Sequence, residues 1–122
     1  MATVALTRDT FDPTLIDSDI LLVDFWAGWC GPCRRFAPTF ERAAQAYPEI
    51  VFAKVDTEAE RELAAWAGIK SIPTLMVFRE QVLVFSQPGA LPEPALIDLI
   101  EQVRALDMAA VHAQVEKRAT SA

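Results

Sequence analysis

Apolar residues run almost without a break over residues 20–26 (Ile-Leu-Leu-Val-Asp-Phe-Trp), and Asp24 is the one polar interruption. A strand covered on both faces reads this way. Residues 50–55 form a second such run, broken only by Lys54. Residues 3–7 predict a short strand. Residues 9–16, with Phe11, Leu15 and Ile16, predict a short helix. A helix from Gly31-Pro32 to about Tyr47 carries Phe36, Phe40, Ala43, Ala44 and Tyr47 at helical spacing. Proline suits its first turn, where an N–H would have no partner, and Pro38 is expected to kink it. Thr57 and Glu60 read as a capping box before Leu63, Ala64 and Ala67, with Gly68 as the stop. Residues 73–78 and 82–85 lie close enough for a hairpin. Its connection, Arg79-Glu80-Gln81, lacks the Gly or Asn of a favoured two-residue turn. From Pro92 onward Leu96, Leu99, Ile100, Val103, Leu106, Val111 and Val115 predict one long amphipathic helix. Strands alternating with helices, closed by a tight strand pair, give an α/β fold with an antiparallel edge.

A length of 122 residues without a linker-like stretch is one domain, and residues 118–122 are expected to fray. The chain is 52% hydrophobic, which excludes intrinsic disorder. Its net charge of −6 leaves no basic footprint for nucleic acid or an anionic membrane. No apolar run is long enough to span a bilayer, and the first residues do not read as a secretory signal, so a cytoplasmic protein is expected.

The two cysteines, Cys30 and Cys33, form one Cys-Gly-Pro-Cys placed where a strand ends and a helix begins. Free N–H groups and the positive end of the helix dipole favour thiolate at Cys30, and thiolate is the attacking species in disulfide exchange. Cys33, nearly one turn on, is close enough to bridge to it and to resolve a mixed disulfide. Half of a zinc site, or an inert core pair, is the alternative reading.

The run from Trp26 to Cys33, Trp-Ala-Gly-Trp-Cys-Gly-Pro-Cys, resembles the active-site signature of the thioredoxin family. Asp24, Pro38, Lys54, residues 68–74 (Gly-Ile-Lys-Ser-Ile-Pro-Thr), Phe78 and Gly89-Ala90 match in order, so the resemblance covers residues 4–103. It implies a thioredoxin fold: a central five-stranded mixed β-sheet flanked by four helices, here with residues 104–117 as an extension of the last helix. It implies protein-disulfide reduction, with Cys30 as nucleophile and Cys33 as resolving thiol. The implied partners are disulfide-containing proteins and a flavin-dependent thioredoxin reductase drawing on NADPH. No bound cofactor, no metal and a monomer are expected.

Asp24, inside an apolar strand, should be buried with a raised pKa, which suits a proton acceptor for Cys33. Lys54 is the candidate compensating charge, and a plain ion pair is the alternative for both. Ile72-Pro73-Thr74 resembles the family's cis-proline loop, whose backbone pairs with substrate main chain. Trp29, Gly31, Pro32, Ile72 and Gly89 are the implied docking rim. Trp66 is expected mainly as a packing residue and His112 as a solvated one. Arg34 and Arg35 either favour the thiolate or form a solvated helix face. Two other readings stand beside the reductase. One is a chaperone or binding module of the same fold, which has no need of a tuned dithiol. The other is an oxidase or isomerase, which the Gly-Pro between the thiols disfavours.

Overall fold

In the computed structural model, which describes residues 2–121, the elements follow the chain as β1 (Thr3–Ala5), α1 (Arg8–Asp17), β2 (Ile20–Trp26), α2 (Gly31–Ala46), β3 (Val51–Asp56), α3 (Arg61–Trp66), β4 (Thr74–Arg79), β5 (Val82–Pro88), α4 (Glu93–Arg104) and α5 (Met108–Ser121). The sheet order is β1-β3-β2-β4-β5. β1, β3 and β2 run parallel, and β4 and β5 are antiparallel. Alternation along β2 sorts the core into two layers. Ile20 and Leu22 pack with Phe36 and Phe40 of α2 and with Leu96 and Ile100 of α4. Leu21, Val23 and Phe25 pack with Phe11 of α1 and Leu63 of α3. β2 is covered on both faces, hence its unbroken apolar run. By the same alternation Asp24 lies on the α2 face, opposite Lys54 in the parallel register.

Three local readings change. α3 begins at Arg61, with Glu60 as its N-cap. The Thr57 hydroxyl donates instead to the Trp26 carbonyl at 3.0 Å, and Asp56 Oδ1 accepts the Glu58 N–H at 2.9 Å. The expected capping box is therefore a turn that ties β3 to the end of β2. The hairpin does use a two-residue turn, with Glu80 at φ 51° and Gln81 at φ 69°. The pairing of Arg79 with Val82 leaves only these two residues to reverse the chain. The right-handed strand twist then demands positive φ, at some cost for residues with a Cβ. Two outside contacts hold the turn: the Glu80 N–H donates to the Asp19 carbonyl at 2.8 Å, and Glu80 Oε1 lies 2.7 Å from His112 Nε2.

The predicted long last helix is two helices. α4 ends at Arg104, where Arg79 Nη1 donates to the carbonyls of Val103, Arg104 and Leu106 at 2.8, 3.1 and 3.0 Å. Asp107 then starts α5: its carbonyl accepts the Val111 N–H, and its Oδ1 accepts the Ala110 N–H. Apolar spacing continues across the break, so periodicity alone does not register it. α5 is helical to Ser121, over most of the expected frayed tail, and Ala122 lies outside the described residues.

Replacing Arg79 with Ala removes a charged donor from three carbonyls. The expected loss of stability is about 2 kcal/mol, measured by chemical denaturation. Hydrogen exchange should accelerate over residues 106–115 while β2 stays protected; unchanged exchange there would show that Arg79 does not hold the junction.

Candidate functional site

β2 must end where its register partners end, and the next helix must begin with N–H groups that nothing inside it can satisfy. Between them lie Ala27, Gly28 and Trp29. Cys30 occupies the N-cap of α2, and its sulfur accepts the Cys33 N–H at 3.2 Å. Gly31 and Pro32 fill the first two helical positions, and Pro32 lacks only an N–H that would have had no partner. The two cysteines are joined as a disulfide, with Cα atoms 5.2 Å apart. They are not equivalent. Cys30 lines an open surface groove and Cys33 does not. Among the described residues no cluster of Cys, His, Asp and Glu could hold a metal, and the second cysteine is spent on the bridge.

Across the groove stands the loop before β4. The Ile72–Pro73 peptide is cis, and the Ile72 carbonyl oxygen lies 3.7 Å from Cys30 Sγ. This brings together residues 42 apart in the chain. Trp29, Gly31, Pro32 and Ile72, all expected in the rim, line the groove. Pro73 is buried beneath it. Thr74 faces inward, its hydroxyl donating to the Ser71 carbonyl at 2.6 Å. Gly89 does not line the groove; its N–H donates to the Pro73 carbonyl at 2.8 Å, which braces the loop from behind. Its φ of 105° is one that a residue with a Cβ rarely adopts.

Asp24 is fully buried, and neither carboxylate oxygen has a hydrogen-bond partner among the described residues. Burial pushes its pKa up from 3.8 to about 7, and the positive charge of Lys54 opposes that shift. Lys54 nevertheless makes no ion pair with Asp24 within 4 Å; its ammonium sits 4.8 Å above the Trp26 ring. The simple strand-end ion pair is thereby excluded, and what remains is a carboxyl group poised to titrate near neutrality.

Sequence reasoning missed Glu58 and the cations of the groove wall. Glu58 Oε1 accepts the Trp29 indole N–H at 2.8 Å and so fixes a side chain that is 68% exposed. Arg61 and Lys70 line the groove. None of the three stands out in a chain where charged residues are common. Arg34 donates to the Gly28 carbonyl at 3.0 Å, bracing the loop before the dithiol. Trp66 is exposed and stands edge-on to Phe11, outside the groove.

Comparison with known proteins bears on this arrangement. The family model described as Thioredoxin matches residues 2–102. A relative from Streptomyces coelicolor, described as "Putative thioredoxin 2", is 57% identical over 121 residues, covering 99% of this chain and 90% of its own. "Thioredoxin 1" from a Nostoc species is 43% identical over 103 residues, covering 83% of this chain and 96% of its own. Among solved structures, thioredoxin f2 of Chlamydomonas reinhardtii superposes with a TM-score of 0.77 at 31% identity, over 86% of this chain and 99% of that one.

The buried carboxyl sets a pH dependence. Folded Asp24 keeps its proton up to about pH 7, whereas in the unfolded chain it is released near 3.8. The folded state thus binds the extra proton between these values, and this group's contribution falls as pH rises through the window. Asp24→Asn should match the native protein near pH 4 and exceed it at pH 8 by up to about 4 kcal/mol. Denaturation of both at a series of pH values checks this; parallel stability curves would mean that Asp24 titrates normally.

Proposed function

The chain belongs to the thioredoxin family, and from that premise we propose how its residues divide the work of disulfide exchange. It is a dithiol–disulfide oxidoreductase acting through Cys30 and Cys33. In the reduced protein the Cys30 thiolate attacks one sulfur of a substrate disulfide. A Cys30–substrate bond forms, and the other substrate sulfur leaves as thiolate and takes a proton. The Cys33 thiol gives its proton to the Asp24 carboxylate. The resulting thiolate attacks Cys30 Sγ, closes the Cys30–Cys33 bridge and releases the second substrate sulfur. Two electrons pass from the protein to its substrate, and the product is the disulfide seen here.

The assignment of nucleophile and resolver is carried by one observation: Cys30 lines the groove and caps the helix, while Cys33 does not line it. The helix N–H groups stabilise negative charge on Cys30. A carboxyl group titrating at about 7 accepts a proton readily near neutral pH. A chaperone-like module of the same fold has no need of a tuned dithiol, so the bridged pair favours the oxidoreductase.

Substrate main chain pairs as an extended strand with the loop at Ile72, between the indole of Trp29 and the cis-proline turn. Backbone pairing accepts many side chains, consistent with a general reductase of protein disulfides. Thioredoxins carry no cofactor themselves, and the chemistry above needs only two sulfurs and a carboxylate. The dithiol is regenerated by a flavin-dependent thioredoxin reductase drawing on NADPH. No helix among the described residues is long and apolar enough to cross a membrane. We assign the protein to the cytoplasm and take it to work as a monomer, a single domain with its core over residues 4–103 and a helical extension beyond.

Cys30→Ser should abolish insulin reduction; residual turnover would reassign the nucleophile. Cys33→Ser should accumulate mixed disulfides, visible as slower bands on non-reducing gels, and their absence would remove its resolving role. Asp24→Asn should slow single-turnover reduction at pH 7–8 by roughly 10-fold or more. It should also erase the rise in rate that the native protein shows as pH passes about 7. An unaltered pH–rate profile would take Asp24 out of the proton transfer.

A further inference from the structure

The chain carries 17 acidic and 11 basic residues, yet the charged side chains lining the groove beside Cys30 are Arg61 and Lys70 alone, with no acid among them. The acids of the neighbouring segment already have partners, and one of them, Glu58, stands at the groove beside Arg61. Asp56 Oδ1 accepts backbone N–H groups at 2.9 and 3.4 Å. Glu58 takes the Trp29 indole and faces Arg61 at 3.7 Å. Glu60 accepts the Arg8 N–H, and Glu62 pairs with the Arg8 guanidinium. Lys70 has no ion pair among the described residues, and the exposed Arg35 lies close to Gly31. The rest of the groove wall is uncharged: Thr57 and Ser71 are polar, and Ala64, Ala65 and Ile69 are apolar.

We infer that the groove selects disulfides flanked by acidic side chains: an extended segment of a partner protein with Asp or Glu near its cysteine, held chiefly by Lys70, with Arg61, already facing Glu58, beside it. The inference rests on the exchange reading above and adds its specificity. A strand lying beside residues 70–72 with its sulfur at Cys30 advances about 3.3 Å per residue. With its sulfur beside Ile72, its side chains a few positions from the cysteine then run along the wall that carries Lys70 and Arg61. Attraction at such short range opposes the negative field of the whole molecule, which by itself favours basic substrates. The sign of the preference therefore separates the groove from the global charge.

The test uses three short disulfide-bridged peptides that differ only in Glu, Gln or Lys at positions two and four from the cysteine. Single-turnover reduction by the pre-reduced protein is followed by alkylation of remaining thiols, and each rate is divided by that with free dithiothreitol. The Glu peptide should be reduced about three- to ten-fold faster than the Lys peptide in low salt, and the ratio should approach one near 0.5 M NaCl. In R61Q/K70Q the ratio should fall to one or below, and in K70E it should invert. Equal rates for the Glu and Lys peptides with the native protein, or a ratio unmoved in the double variant, would overturn the inference while leaving the exchange reading intact. Failure to reduce even the Gln peptide would sink both.

Discussion

An α-helix starts with backbone N–H groups that have no partner inside it, and in this protein a sulfur atom meets one of them. Cys30 caps α2 through the Cys33 N–H. In the proposed exchange the cap that positions the helix is also the atom that reacts. Donors that hold a neutral sulfur in place hold a thiolate more strongly, so on the proposed assignment the folding interaction and the activation of the nucleophile are the same contact. Everything else in the site is arranged around that cap. Gly31-Pro32 allows the tight start, Arg34 braces the loop before it, and the Ile72 turn faces it across the groove.

The cost of the proposed proton transfer lies in β2, at Asp24. A carboxyl group at a core position with no hydrogen-bond partner opposes folding whenever it is ionised. Leucine would suit Asp24's surroundings better. The two apolar layers on either side of the sheet are extensive enough to carry this expense. Lys54 limits the shift at a distance without neutralising the group. An ion pair would have held the carboxylate charged throughout the physiological range; its absence keeps the group able to exchange a proton.

The region beyond the family match, which ends at residue 102, adds a helix whose first residue, Met108, is buried and which polar contacts also fasten. Arg79 ties the α4–α5 junction to the end of β4, and His112 meets Glu80 at the hairpin turn. Both anchors lie at the end of β4 away from the cis-proline turn that precedes its first residue. α5 thus leaves the groove open. The alignment with the Streptomyces relative covers 99% of this chain and so takes in this helix.

Local chemistry is what the sequence by itself determined. The uninterrupted apolar run of β2, the helix opened by Gly31-Pro32 and the dithiol between them lie within a few residues of one another, where periodicity and dihedral preference act directly. The same holds for Asp24, since a lone carboxylate in a doubly covered strand is buried wherever that strand is placed. Features set by distant parts of the chain were not legible. The turn at Glu80-Gln81 takes positive φ because strand register leaves two residues for the reversal, although neither residue favours it. The last helix divides because Arg79, far back in the chain, caps α4 while apolar spacing runs on. Lys54 turns to Trp26, and Thr57 bonds the end of β2 rather than capping α3. Only the tertiary structure set Ile72 against Cys30 and gave their groove a basic wall, because sheet order decides which loops meet and a sequence pattern read locally does not contain it.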